Sequence, residues 1–294
     1  MSADGSIDTA PIVVGGGEDV AVVRTKNADL AGKSGLALAW AWTWPKLIAI
    51  GIVVLIWQAL VWANWKPDFV LPSPRTVASS LWDQVTGGRL WSSIQTTLLR
   101  AVRGYALAVL IGTLLGVAVV QWKVFRLGVG SLIAGLQTMP SIAWFPLAIL
   151  LFGLRESAIL FVVILGAAPS IASGVITGID EVPPPLLRAG KMLGARGVDR
   201  YRHIVLPAAM PAYVQGMKQG WAFSWRSLLA GELLVGIAGT TSIGGDLQLD
   251  RQFGHPDKML GLMVVILIIG MIVDGIFSSF TKRIRLRRGL TGAI

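Results

Sequence analysis

The strongest constraint on this chain is a set of apolar runs long enough to cross a lipid bilayer. A helix rises about 1.5 Å per residue, so about 20 mostly apolar residues span the hydrocarbon layer. Six stretches meet that length: Trp44–Asn64, Leu98–Trp122, Gly128–Gly153, Ser157–Gly178, Pro211–Val235 and Lys258–Phe280. Backbone polar groups in lipid must bond within their own segment or a closed barrel. Long apolar runs satisfy this as helices, so the expected fold class is an all-α polytopic membrane protein. Composition agrees: 14% of the 294 residues are charged, against about 25% in soluble domains. Pro140 and Pro146 interrupt the third run and Pro169 the fourth. Prolines survive in spans where neighbours satisfy the freed backbone groups, which predicts kinked inner helices there. The first run is expected to lie outermost, bracketed by Trp40, Trp42, Trp44, Trp57, Trp62 and Trp65 as interfacial anchors.

The net charge of +10 raises nucleic acid as a partner, but the cations cluster at the ends of apolar runs without aromatic interleaving. Positive-inside topology explains them better. Lys and Arg crowd the N-terminal tail, the turn at Lys123 and Arg126, the loop from Arg188 to Arg202, and the C-terminal end. The opposite segments hold fewer, mixed with acids, so both termini are expected in the cytoplasm. The tail Met1–Gly35 lacks periodicity and reads as disordered. The division is a cytoplasmic tail over 1–40 and a transmembrane domain over 41–294. Outside, Ser73-Pro74 predicts the cap of an interfacial helix over Thr76–Val85. The Gly-rich, polar segment Gly236–Pro256 is a candidate docking or gating surface. No Cys is present, which excludes disulfides, cysteine nucleophiles and thiolate metal sites.

Between the fourth and fifth runs, the loop 180–208 is cationic, hinged by glycine and prone to helix. Pro183-Pro184-Pro185 gives a rigid start to a helix, and Leu186, Leu187, Ala189, Gly190, Met192 and Leu193 give it an apolar side. Gly194, followed by Ala195-Arg196-Gly197, predicts its C-terminal turn. Asp199 is expected to cap a second short helix, Arg200–Ile204, ended by Pro207. A loop that only sets topology needs charges, but it has no need for an apolar helix face between glycines.

From Arg188 onward this stretch resembles the EAA loop of ABC-importer permeases, which runs E-A-A, three residues, G, nine residues, I, one residue, L-P. Ala189 falls at the first Ala, Gly194 at the Gly, and Ile204, Leu206 and Pro207 at the closing I-x-L-P. Arg188 stands where Glu is usual and Gly190 where the second Ala is usual. The resemblance covers about 250 residues and is to the nitrate/sulfonate/taurine branch. Phe69-Val70-Leu71-Pro72-Ser73-Pro74, Thr138-Met139-Pro140, Phe152-Gly153-Leu154, Leu193-Gly194-Ala195 and Ala230-Gly231-Glu232-Leu233 carry it. The resemblance implies a type I importer permease arrangement in the bacterial inner membrane. It implies pairing with a second permease chain, here as a homodimer, and two ATPase subunits that bind ATP and Mg. An extracytoplasmic binding protein delivers a small anionic solute. On this resemblance the ATPase is expected to dock at Pro185, Leu187, Arg188, Ala189, Gly190, Met192, Leu193, Gly194, Arg196, Ile204, Leu206 and Pro207. A pyrimidine or thiamine-precursor solute is the alternative within the family.

No ATP site is expected in this chain, and so no cofactor. Gly32-Lys33-Ser34 imitates the end of a phosphate-binding loop, but the Gly required five residues earlier is Asn27. Charges at membrane depth each need a partner or a task. Lys218 and Asp274 lie about seven residues from the same side of antiparallel spans and are expected to pair. Arg226 has no evident partner in the sequence. Its planar fork suits an oxyanion in a translocation path, and the alternative is bonding to carbonyls freed by Pro140 or Pro169. Met139, Ser141, Trp144, Trp225 and Glu232 complete the expected path. A secondary transporter would need an ion relay, for which Glu232 and Asp274 are thin material. His203 and His255 lie in loops on opposite sides and fit no metalloprotease or triad pattern, which argues against an embedded enzyme. An ion channel has no use for a partner-docking loop.

Overall fold

The computed structural model describes residues 35–237 and 239–287. The sequence-expected tail falls outside them up to residue 34. The chain divides into two units, Met1–Ala59 and Leu60–Ile294. Helix α1 (Gly35–Trp62) carries the first apolar run and starts well before the expected Trp44. Ala, Leu and Trp around Pro45 continue the helix upstream, so the boundary at residue 40 falls inside it.

In the second unit, α2 (Pro74–Thr86) is capped by Ser73, whose Oγ accepts from the Thr76 amide at 3.2 Å, with Pro74 in the first turn. The centre consists of α3 (Arg89–Gln121), α6 (Glu156–Asp180) and α9 (Leu206–Leu234), with α6 packed against both of the others. Small residues allow this closeness. A Cβ on Gly174 of α6 would lie 2.8 Å from Gly216 Cα in α9, so the two backbones touch. About 20 Å further along the same helices, Phe145, Ile159, Val162, Val163 and Leu228 fill the main core cluster.

The third run is not one kinked span. It forms α4 (Lys123–Thr138), a 3-10 turn over Ser141–Trp144 and α5 (Phe145–Phe152), and the two arms meet at 105°. Pro140 forces this in two ways: it pushes Met139 out of helical geometry, to φ −83° and ψ 129°, and it lacks an amide to continue the ladder. Pro146 causes no kink, because it occupies the first turn of α5, where a missing amide costs nothing. Pro169, by contrast, stays inside an unbroken α6.

The loop after α6 forms α7 (Pro184–Met192) and α8 (Gly197–Arg200), and a π-turn over Tyr201–Val205 leads directly into α9. Beyond α9 come α10 (Ile243–Gln252) and α11 (Pro256–Arg287). Among the described residues, α3, α6 and α11 are long and apolar enough to cross a membrane, and the bent pair α4–α5 is a fourth such element. α9 has the length, but Lys218, Arg226 and Glu232 dilute its apolar character.

Candidate functional site

The helical hairpin between α6 and α9 has a defined geometry. Pro183 precedes the first turn of α7, and Gly194 ends it at φ +85°. The Ala195 amide donates to Gly190 O at 2.9 Å and the Gly194 amide to Lys191 O at 3.1 Å, which is the Schellman closure. A residue with a side chain would be strained at Gly194. Gly190 is buried because Ile204 lies across it, and a Cβ there would overlap Ile204 Cδ1. The departure from Ala at this position therefore has a packing cause.

Two expectations for the second helix fail. Asp199 does not cap it: the N-cap is Arg196, which makes no side-chain cap bond, and the Asp199 carbonyl instead accepts from His203 Nδ1 at 3.2 Å. Pro207 does not end it, because it lies in the first turn of α9. The preceding π-turn closes with the Leu206 amide on Tyr201 O, so the backbone winds past Pro207 without a break.

The hairpin leaves large apolar side chains in the open. Met192, Leu193 and Val198 are 83%, 88% and 79% exposed. Leu187, Arg188, Lys191, Arg196 and Arg200 rim a hollow of about 380 Å³. Leu186, Ala189, Gly190, Leu193 and Ile204 rim another on its apolar side. Such a patch between basic side chains is shaped for a protein partner. Behind it, Arg126 of α4 pairs with Asp180 at 2.7 Å and braces the end of α6.

At the other end of α9, Glu232 is a buried carboxylate, 2% exposed. It receives Arg100 Nη1 at 3.1 Å, Thr97 Oγ1 at 3.0 Å and the Gly244 amide at 3.1 Å. Thr97 also accepts from the Ile243 amide at 3.0 Å. Thus the first amides of α10 are satisfied from α3 and α9, and the carboxylate meets the positive end of that helix. The segment expected to be a polar loop over Gly236–Pro256 is for much of its length a helix sewn to the core. Asp246 extends the seam, accepting from Arg89 at 2.7 Å and from Ser93 Oγ. Burial pushes the nearby Asp250 carboxyl up from its ordinary value, against the opposing pull of Lys258 and His255.

The expected path residues separate into two groups. Glu232 is enclosed and saturated by its partners, and Trp225, 8% exposed, packs in the core stacked on Trp221. Neither is open to a solute: sequence spacing shows a charge or an aromatic on a span but not which face it occupies. Arg100, inside the second apolar run, is the partner of Glu232. Arg100 lies three turns inside α3 and Glu232 near the end of α9, in different halves of the sequence, and only their opposite charges hint at the pairing. Met139 is exposed at the break, and Ser141 and Trp144 are half-buried beside it. Ser227 Oγ donates to Ser141 Oγ at 2.7 Å, joining the break to α9. Lys218 Nζ lies 2.9 Å from Asp274 Oδ1 and also donates to Ser278. Arg226 is exposed; its Nε donates to Ala222 O at 3.0 Å, one turn back on its own helix, and its guanidinium lies over the Phe223 ring at 4.8 Å. Pro140 and Pro169 supply it no carbonyl. Among the described residues no cluster suited to a metal ion occurs.

Helices of spanning length, a bent pair, and a partner-shaped hairpin on one side define a membrane-embedded subunit built to work with other chains. Residues 104–286 match the model of the family described as binding-protein-dependent transport system inner membrane component, and the chain belongs to that family of ABC-importer permeases. It is 27% identical over 246 residues to the aliphatic sulfonates transport permease protein SsuC of Escherichia coli strain K12, covering 83% of this chain and 90% of the relative. The taurine transport system permease protein TauC of the same organism is 25% identical, with 76% and 82% covered. The riboflavin transport system permease protein RibX of Chloroflexus aurantiacus is 29% identical, with 76% and 84% covered. In fold, the chain resembles the MetNI methionine ABC transporter solved in an inward-facing conformation. The TM-score is 0.52 at 20% identity, over 67% of this chain and 96% of that one.

Proposed function

We propose that this permease carries a small oxyanion solute of the sulfonate, taurine or nitrate class across the inner membrane. Six spans with both termini in the cytoplasm make up each copy, two copies pair, and an extracytoplasmic binding protein delivers the solute. Two partner ATPases bind ATP and Mg and receive the α7–α8 hairpin. The observation that carries this reading is that hairpin, with its exposed Met192, Leu193 and Val198 beside four cations, in a chain similar to SsuC and TauC along most of its length. Arg188 replaces the usual Glu within a cationic rim, so the groove of this chain's own ATPase is expected to present acids there.

The likeness to RibX favours a second reading, an uncharged heteroaromatic solute handled by the same machinery. The test is reconstitution into proteoliposomes with its partner ATPase and binding protein, measuring uptake of labelled taurine, ethanesulfonate, nitrate and riboflavin. Uptake of the anions, dependent on ATP and on all partners, is expected. Riboflavin uptake alone would replace the solute class and leave the machinery standing. Uptake driven by an ion gradient without ATP would overturn the machinery as well.

A further inference from the structure

α9 is the least apolar of the long central helices, and three of its polar side chains share one exposed face. Gln215, Gln219, Ala222 and Arg226 are exposed, while Gly216, Gly220, Ser224, Trp225, Ser227 and Leu228 are buried. The exposed set has spacings of four, three and four, which is one face of a helix. A glutamine–glutamine–arginine face at spanning depth is costly against lipid and is kept where it meets water or a partner.

A second observation concerns charge. Within the long helices, Arg100, Arg103 and Lys218 each have a carboxylate within 4 Å, namely Glu232, Glu156 and Asp274. Arg226 has none among the described residues; its Nε is bonded to Ala222 O and its guanidinium lies over the Phe223 ring, and among the described residues its two terminal nitrogens make no hydrogen bond. A third observation is the unwound backbone at Met139–Pro140, exposed and tied to the residue after Arg226 by the Ser141–Ser227 bond. Unwound backbone at membrane depth belongs where protein buries it or water reaches it.

We infer that the Gln215–Gln219–Ala222–Arg226 face of α9, with the break at Met139–Pro140, lines the solute path, and that Arg226 sets its preference for anions. This rests on the proposed transport function and adds the residues that select the solute. Two terminal nitrogens in a plane match two oxygens of a sulfonate, carboxylate or nitrate group. Gln219 and Gln215 follow at about 10 and 16 Å toward the hairpin end. Each amide both donates and accepts without net charge. An anion leaving Arg226 in that direction therefore meets neutral hydrogen-bond partners, and the cation beside them, Lys218, is already neutralised by Asp274 at 2.9 Å.

The absence of cysteine makes the face directly testable in the assembled transporter. Single variants Gln215→Cys, Gln219→Cys and Ala222→Cys are treated with sulfonatoethyl methanethiosulfonate and with its cationic trimethylammonium counterpart. Leu267→Cys, on an exposed apolar position of α11, gives the background rate. Thiols react as thiolates and need water, so the three path variants are expected to react roughly tenfold or more faster than background. The anionic reagent is expected to be favoured, and that preference to fall by about fivefold or more when Arg226→Gln is added, while Arg226→Lys keeps it. Association with the ATPase on gel filtration verifies that each variant is assembled. Labelling no faster than at Leu267→Cys would overturn the path, and a preference unmoved by Arg226→Gln would overturn the role of the arginine. The readout does not require the solute to be known. If sulfonate uptake fails and this pattern holds, only the solute class falls; if uptake proceeds and the pattern fails, only this inference falls.

Discussion

Gly190 shows how a single missing methyl group is explained by a contact across a hairpin. Ile204 occupies the space a Cβ would need: its terminal methyl overlaps that space outright, and its Cγ1 stands at 3.3 Å. Gly190→Ala should therefore cost about 1 kcal/mol of hairpin stability through overpacking, and adding Ile204→Val, which removes that methyl, should recover most of it. Thermal unfolding of the purified permease and the yield of complex with the ATPase both measure this. Failure of the second substitution to rescue the first would remove the packing explanation. At the far end of α9, Glu232 and Arg100 are the costly kind of buried pair. Removing one partner leaves an uncompensated charge, worth about 3–5 kcal/mol, so Glu232→Gln and Arg100→Gln should each lower the unfolding temperature sharply. The double variant should be less destabilised than the two losses added together. Strict additivity in the thermal scans would mean that the two side chains do not depend on each other.

Among the elements, the α7–α8 hairpin and the α4–α5 bend differ in how far sequence exposes them. The hairpin's start at the prolines, its turn at Gly194 and its apolar side were legible, because proline, positive-φ glycine and helical spacing are local signals. The continuation past Pro207 was not, since a π-turn has no residue signature and converts an apparent stop into a first-turn proline. Similarly, hydropathy reports that residues 128–153 are apolar but cannot register a 105° bend. Pro140 marks the place of that bend without fixing its size. Of the site, the charged residues were visible but their faces were not, which is why Glu232 and Trp225 belong to the core while Gln215 and Gln219 join Arg226. The hairpin also permits a prediction of its own. Met192→Asp with Leu193→Asp replaces exposed apolar surface by charge and leaves the fold of α7 without lost contacts. ATPase copurification should fall at least about tenfold, as expected when anchors at the centre of an interface are removed, with the unfolding temperature unchanged. Undiminished copurification would move the docking surface elsewhere.

Across the whole molecule, the two ends of the transport machinery are joined by one helix. From Gly197 through the π-turn to Leu234 the backbone is continuously helical, about 57 Å at 1.5 Å per residue. Its lower end carries Val198 and seats α7 through the Gly190–Ile204 contact, Arg226 lies about 12 Å from its upper end, and that end holds the carboxylate that fixes α10. A rod of this kind transmits a tilt where a jointed loop would absorb it, so displacement of the hairpin by an ATPase would reach both Arg226 and the α10 seam. The close contact of Gly216 with Gly174 of α6 supplies the natural pivot. Softening the rod below that pivot should separate docking from transport. Ala208→Gly with Met210→Gly adds about 1 kcal/mol of helix cost per site just past a π-turn already short of regular bonds, while leaving the docking residues up to Pro207 untouched. The ATPase should still copurify and hydrolyse ATP at its basal rate. Stimulation by the loaded binding protein and solute uptake should both fall severalfold, with Ala in both positions restoring them. Uptake and stimulation that survive the glycine pair would show that force reaches the membrane by contacts beside α9, through Arg126 and Asp180 at the base of α6, rather than along it.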